Sequence, residues 1–169
     1  QVDFIQKIRF NASEYLSYKI NLQVSSTTNL NRFDQLNDFS NGQPKFEEWY
    51  YGPQKRLLLG LGTEHQKKNF FYDSFNNTIS YQQLEESRNS QKYNADLIQR
   101  TEDVFVFANT ADFIKKWDYN TLNYGVDLQH NIIHSRATEG YGSRYADGGS
   151  DMTTISVYNQ YKTPLSKRI

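Results

Sequence analysis

Three groups of residues could do chemistry by type and spacing. Glu47/Glu48 and Glu85/Glu86 are neighbouring carboxylates that could serve as acid and base. Such a couple must aim both groups at one bond, and adjacent residues of an extended chain point to opposite faces. Neither pair converges, so no catalytic residue and no enzyme activity is expected. His130 and His134 would share a strand face about 13 Å apart, too far to hold one metal ion between them. A single axial histidine would suffice for a haem, but a rim histidine against lipid headgroups is the simpler reading of His134. His65 has no evident partner. The chain has no cysteine, which removes disulfides and thiolate metal sites; no metal site and no resident cofactor is expected. Tyr141, Arg144 and Tyr145 combine aromatic surface with a forked donor, a set suited to an anionic or planar ligand. Asp147-Gly148-Gly149 beside them is turn chemistry.

These groups must be held by strands. Segment 15–25 puts Leu16, Tyr18, Ile20, Leu22 and Val24 on one face and Tyr15, Ser17, Lys19, Asn21, Gln23 and Ser25 on the other. Five consecutive alternations exclude an amphipathic helix. Segment 121–134 alternates as cleanly, with Leu122, Tyr124, Val126, Leu128 and Ile132 opposite Asn123, Gly125, Asp127, Gln129 and Asn131. Segments 2–10, 77–88, 101–115 and 152–161 alternate less regularly. The run 46–65 reads as one strand with Trp49, Tyr51, Lys55, Leu57, Leu59 and Leu61 on one face. Its other face would carry Glu48, Gln54 and Arg56. Aromatics followed by leucines are the pattern of a strand that meets lipid. Lys19, Glu48, Gln54 and Arg56 are then expected on the wet face, where partners must satisfy their polar groups. Phe70-Phe71-Tyr72 is expected to join an interfacial girdle.

The connections are expected to alternate in length. Turns near 11–14, 66–69, 116–120 and Thr163–Ser166 are short, whereas 26–45, 89–99 and 136–150 are long and polar. A transmembrane β-barrel sorts its turns this way because two aqueous compartments lie beyond its ends. Composition agrees. Hydrophobic residues make only 37% of the 169, while aromatics reach 15%, with 13 Tyr and 11 Phe. In a barrel only every second strand residue must be apolar. A soluble secreted β-sandwich, a binding or adhesion module, is the competing architecture. Net charge is zero, so no nucleic-acid partner is expected. No run reaches the roughly 18 apolar residues of a membrane helix. Absence of an initiating Met or signal peptide suggests a processed chain or an internal piece.

Several stretches resemble the TonB-dependent outer-membrane receptors, in particular a group common in Bacteroidetes. They are Arg32-Phe33-Asp34-Gln35-Leu36, Glu48-Trp49-Tyr50-Tyr51-Gly52-Pro53-Gln54-Lys55-Arg56-Leu57-Leu58, Tyr81-Gln82-Gln83-Leu84-Glu85-Glu86-Ser87-Arg88, Leu122-Asn123-Tyr124-Gly125-Val126 and Ser143-Arg144-Tyr145-Ala146-Asp147-Gly148-Gly149-Ser150. The resemblance covers most of residues 3–160, with these stretches in the right order; Ala146 stands where related sequences tend to have Pro. The resemblance implies an all-β, antiparallel up-and-down barrel of 22 strands, of which residues 1–169 would supply about seven. The odd strand count, and an end at Ile169 rather than at an aromatic, fit a slice of such a wall. It also implies a bacterial outer-membrane location and uptake of a scarce nutrient, with a ferric siderophore or haem favoured. Partners would be outer-membrane lipid, the remaining strands, a plug domain absent from this chain, and the TonB complex. On that picture Lys19, Glu48, Gln54 and Arg56 face the lumen and plug, and Tyr141, Arg144 and Tyr145 lie in an extracellular loop.

Overall fold

A computed structural model describes residues 1–164; the outer half of the turn expected at Thr163–Ser166 lies beyond them. The chain folds into β1 (Val2–Asn11), β2 (Leu16–Ser26), β3 (Leu30–Asn31), a single helical turn α1 (Phe33–Leu36), β4 (Phe39–Ser40), β5 (Gln43–Pro44), β6 (Glu48–Tyr51) and β7 (Lys55–His65). It continues through β8 (Ser74–Gln91), β9 (Ile98–Trp117), β10 (Asn120–Ala137), a 3-10 turn at Ala146–Gly148, and β11 (Gly149–Lys162). Seven strands lie side by side in the order β1-β2-β7-β8-β9-β10-β11, every neighbour antiparallel. The fold is therefore all-β and up-and-down. β3 and β6 extend the sheet at one end, with β6 beside β8, and β4–β5 is a separate two-stranded ribbon. β1 and β11 each have one strand neighbour, so the sheet is open within this chain.

Register assigns the faces, because residues directly opposite each other across a ladder share a side. One such row reads Ile8, Ile20, Leu61, Ile79, Asn109, Leu128, Ile155, and the next Phe10, Tyr18, Thr63, Asn77, Ala111, Val126, Val157. The clean alternation of segments 15–25 and 121–134 thus builds one apolar face. No hydrophobic residue among those described is buried, and Ile20, Leu59, Leu61, Ile79, Phe107 and Leu128 are all exposed. A compact protein of 19.9 kDa exposes about 8,700 Å², whereas this chain exposes 12057 Å². The sheet is a single layer with both sides open, and no stacked second sheet covers the leucines.

Two expectations fail. The loop expected over 89–99 is mostly strand: β8 runs 18 residues and β9 runs 20, leaving 92–97 as their connection. That connection is shorter than 66–73 at the other end, so loop length does not alternate strictly. The ends of β8 and β9 lie beyond the end of β7, where β6 takes over the pairing and Asn89 is buried to 2% exposure, and their polar sequence imitates a loop. The second failure is the single strand over 46–65. It breaks at Gly52-Pro53-Gln54, where Tyr51 pairs with Arg88 but Lys55 pairs with Glu85. Three residues on one side oppose two on the other, a bulge that reverses the phase of alternation. Trp49 and Tyr51 therefore face the side opposite to Leu57 and Leu59. Gly52 is required there, because a Cβ would lie 2.0 Å from Ser87 Oγ.

Candidate functional site

The chemistry collects on the polar face. At the end with the tighter turns, Glu64 of β7 receives Arg9 of β1 at 2.9 Å and pairs with Lys19 of β2, while Ser17 donates to it at 3.2 Å. Three neighbouring strands are tied by one carboxylate. Arg56 donates to Gln82 Oε1 at 2.9 Å on the same face. Gln54 continues the β2–β7 ladder outward, exchanging bonds with Thr27 at 2.9 and 3.0 Å. Lys19, Gln54 and Arg56 all sit on the polar face, as their spacing predicts. Glu48 does not. Its register partner is Gln91, and the bulge at 52–54 places it on the opposite side from Arg56.

At the end bearing the longer loops, Glu86 and Glu102 lie directly opposite each other across β8 and β9. Like charges in that position repel. Arg144, from the 138–148 connection, reaches both: its Nη1 lies 3.3 Å from Glu86 Oε1 and 3.2 Å from Glu102 Oε2. Glu102 and Ser135 are both buried at 3% exposure. Ser135 Oγ donates to Glu102 at 3.2 Å and accepts the backbone N–H of Arg144 at 3.2 Å. Burial works against the Arg144 charge, and the hydrogen bond and charge of Glu102 outweigh it, leaving its pKa raised. Arg100 adds a bond from Nε to the Gly142 carbonyl at 3.2 Å. The loop is thereby pinned down onto the polar face.

This geometry redefines the Tyr141, Arg144 and Tyr145 set. Arg144 anchors the loop, with both carboxylates in place, and is no free anion receptor. Tyr141 and Tyr145 are exposed at 44% and 37% and stay open to a ligand. A groove of about 560 Å³ on this face brings Gln54 and Arg56 beside Glu86 and Glu102. No family model matches this chain, and neither a curated protein nor a solved structure does. Its chemistry must be read from its own residues.

The carboxylate pairs remain apart. Glu85 binds Lys55 at 2.8 Å on one face while Glu86 binds Arg144 on the other. No group of three metal-ligating side chains exists among the described residues. His130 accepts or donates to Thr153 Oγ1 at 2.8 Å, and His134 packs edge-on against Phe105 at 5.7 Å. His65 does have a partner, the Tyr72 hydroxyl at 3.0 Å. Tyr72 starts a stack that crosses the sheet: Tyr72–Phe75 at 5.5 Å, Phe75–Phe113 at 4.9 Å and Phe113–Tyr124 at 5.0 Å. Residues that sequence reasoning missed are Arg32, Arg88, Arg100, Glu102 and Ser135. Arg32 stacks over Trp49 at 4.7 Å and over Tyr51 at 5.6 Å, and donates to the Tyr51 hydroxyl at 2.8 Å. The spacings Glu86/Arg88 and Arg100/Glu102 were visible, but only register shows that they meet.

Proposed function

We propose that this chain is a stretch of the wall of an outer-membrane transport barrel, with its apolar face against lipid and its polar face toward the lumen. The observation that carries the reading is the uncovered apolar face, bordered by the Tyr72–Phe75–Phe113–Tyr124 stack. Amphipathic rings belong at the bilayer boundary, where a polar tip reaches water and the ring stays dry. From Leu57 to His65 the face runs about 27 Å along the strand, or about 20 Å of height at the tilt usual for barrels. An apolar band of about 25 Å is the norm. The polar face supports the same reading, because Arg9, Lys19 and Glu64 at one end and Arg144, Glu86 and Glu102 at the other are gathered into clusters rather than scattered in bulk water. The resemblance carried by Trp49-Tyr50-Tyr51-Gly52-Pro53-Gln54-Lys55-Arg56 favours a TonB-dependent receptor for ferric siderophore or haem as the parent.

The test uses the full-length protein with single cysteines at Leu59→Cys or Gln82→Cys. In intact outer membranes a water-soluble maleimide should label Gln82→Cys and spare Leu59→Cys, while a lipid-soluble maleimide labels both. Equal aqueous labelling of the two, or recovery of the protein in the soluble fraction, would overturn the reading. Uptake of radiolabelled iron complexes with and without the inner-membrane energy source then tests the transport assignment separately.

A further inference from the structure

The polar face carries two rungs of like charge stacked one above the other. Glu86 opposes Glu102, and two residues along the same strands Arg88 opposes Arg100. The acidic rung is bridged and half compensated by Arg144, whose one guanidinium lies within 3.3 Å of both carboxylates. The basic rung has no such counterpart. Arg88 makes no ion pair or hydrogen bond among the described residues, and its Nε is buried without a partner. Arg100 binds only the Gly142 carbonyl. Side chains directly opposite on a ladder have Cβ atoms about 4.5–5.5 Å apart, so the two arginines rise from one patch of the sheet, Arg88 leaning over Tyr51 and Arg100 toward Gly142. The two forks thus flank a space on the polar face that a counter-charge would fill.

We propose that Arg88 and Arg100 form a binding site for the oxyanion, carboxylate or phosphate, of a small organic molecule. Two forked donors on one side of the sheet suit a planar or tetrahedral oxyanion, which accepts several hydrogen bonds at once. Tyr51 supplies the organic half of the site. Its ring lies 5.6 Å from the Arg88 guanidinium carbon, and its hydroxyl is fixed by Arg32, which Asp34 holds in turn at 2.7 Å. The bulge at 52–54 is what turns this ring to the arginine side. Arg32 is already paired with Asp34, which leaves Arg88 and Arg100 as the arginines of this patch without an ion pair among the described residues. The inference goes beyond the wall reading, since both rungs share the polar face whatever covers the other one.

The experiment titrates the full-length protein in detergent micelles with inorganic phosphate and with benzoate, following heat of binding. Saturable binding of at least one probe is expected. Arg88→Gln or Arg100→Gln should weaken it at least tenfold, and Arg88→Lys, which keeps the charge but loses the fork, by less. Without anion, Arg88→Gln should raise the unfolding midpoint, because the repulsion is gone, and added probe should no longer shift it. The proposal fails if neither probe binds saturably or if both Gln variants bind as the parent does. It also fails if Arg88→Gln lowers the midpoint without anion while Arg88→Lys preserves it, since a carboxylate elsewhere in the protein would then already fill the rung.

Discussion

Replacing Arg144 by alanine isolates the role of the loop anchor. Glu102 is 3% exposed and keeps only the Ser135 hydroxyl once the guanidinium is removed. A hydrogen bond to a charged group contributes about 1.5–3 kcal/mol, and stranding a buried charge costs more. Because the Arg144 side chain is 34% exposed, solvent screens the pair and the lower part of that range applies, about 2 kcal/mol. The loss falls on the 138–148 connection, which is also tied by the Arg144 N–H to Ser135, by Arg100 to Gly142 and, at its start, by Thr138 to Gln99. An opening equilibrium shifted by about 2 kcal/mol is a change of about 30-fold. Hydrogen exchange of the full-length protein in detergent, read on the peptide covering 138–148, should therefore speed up about 30-fold at the Arg144 amide in Arg144→Ala. Arg144→Lys reaches one carboxylate rather than two and should give an intermediate effect. Acceleration below threefold in Arg144→Ala would refute the anchoring role and return Arg144 to the ligand-contact set.

Leu59→Arg, in the middle of the apolar face, should destabilise the assembled protein by about 2–4 kcal/mol if that face meets lipid, whereas Leu58→Arg on the polar face should be tolerated; denaturant titration in lipid vesicles separates the two. Gly125→Ala should cost about 1–3 kcal/mol, because the new Cβ would lie 2.5 Å from the Ala111 carbonyl and 2.5 Å from the Tyr158 ring, and the same titration reads it. Asp73 accepts from Lys115 Nζ at 3.0 Å and from the Lys116 N–H at 2.8 Å, and these bonds hold its pKa below the ordinary carboxylate value. The folded form thus binds its proton later than the unfolded form does. The stabilisation is complete above the ordinary carboxylate pKa and is lost as pH falls through the lower folded value; the protection factors of residues 66–73, taken relative to the intrinsic exchange rate at each pH, should fall at acid pH in the parent and stay level in Asp73→Asn.

Strand identity was legible where one face is apolar and the other wet, as in Leu16–Val24 and Leu122–Ile132, because alternation then has one physical cause. It was illegible in residues 89–91 and 98–100, which hydrogen-bond as strand while their side chains are mostly polar, Asn89 being buried among them at 2% exposure. Hydrophobic patterning carries no information there. The polar face was legible for Lys19 and Arg56 by parity, and illegible for Glu48 because one unpaired residue upstream of Lys55 shifts the parity. Arg144 was visible as a reactive side chain, but its two carboxylates come from strands 42 and 58 residues away. Partners that distant are set by register, and register is not written in any one segment. The same holds for Arg88 and Arg100, which only register sets opposite each other.

The kink at Gly52-Pro53-Gln54 gives one continuous piece of chain two allegiances. Below it, Leu57, Leu59 and Leu61 turn to the apolar face; above it, Trp49 and Tyr51 turn the other way and meet Arg32 and Arg88. A solitary extra residue therefore does the work of a second strand, giving bulky rings to one face and aliphatic side chains, a few positions on, to the other. Changes in loop length elsewhere would leave this division intact, but gaining or losing one residue at this joint would exchange the two roles.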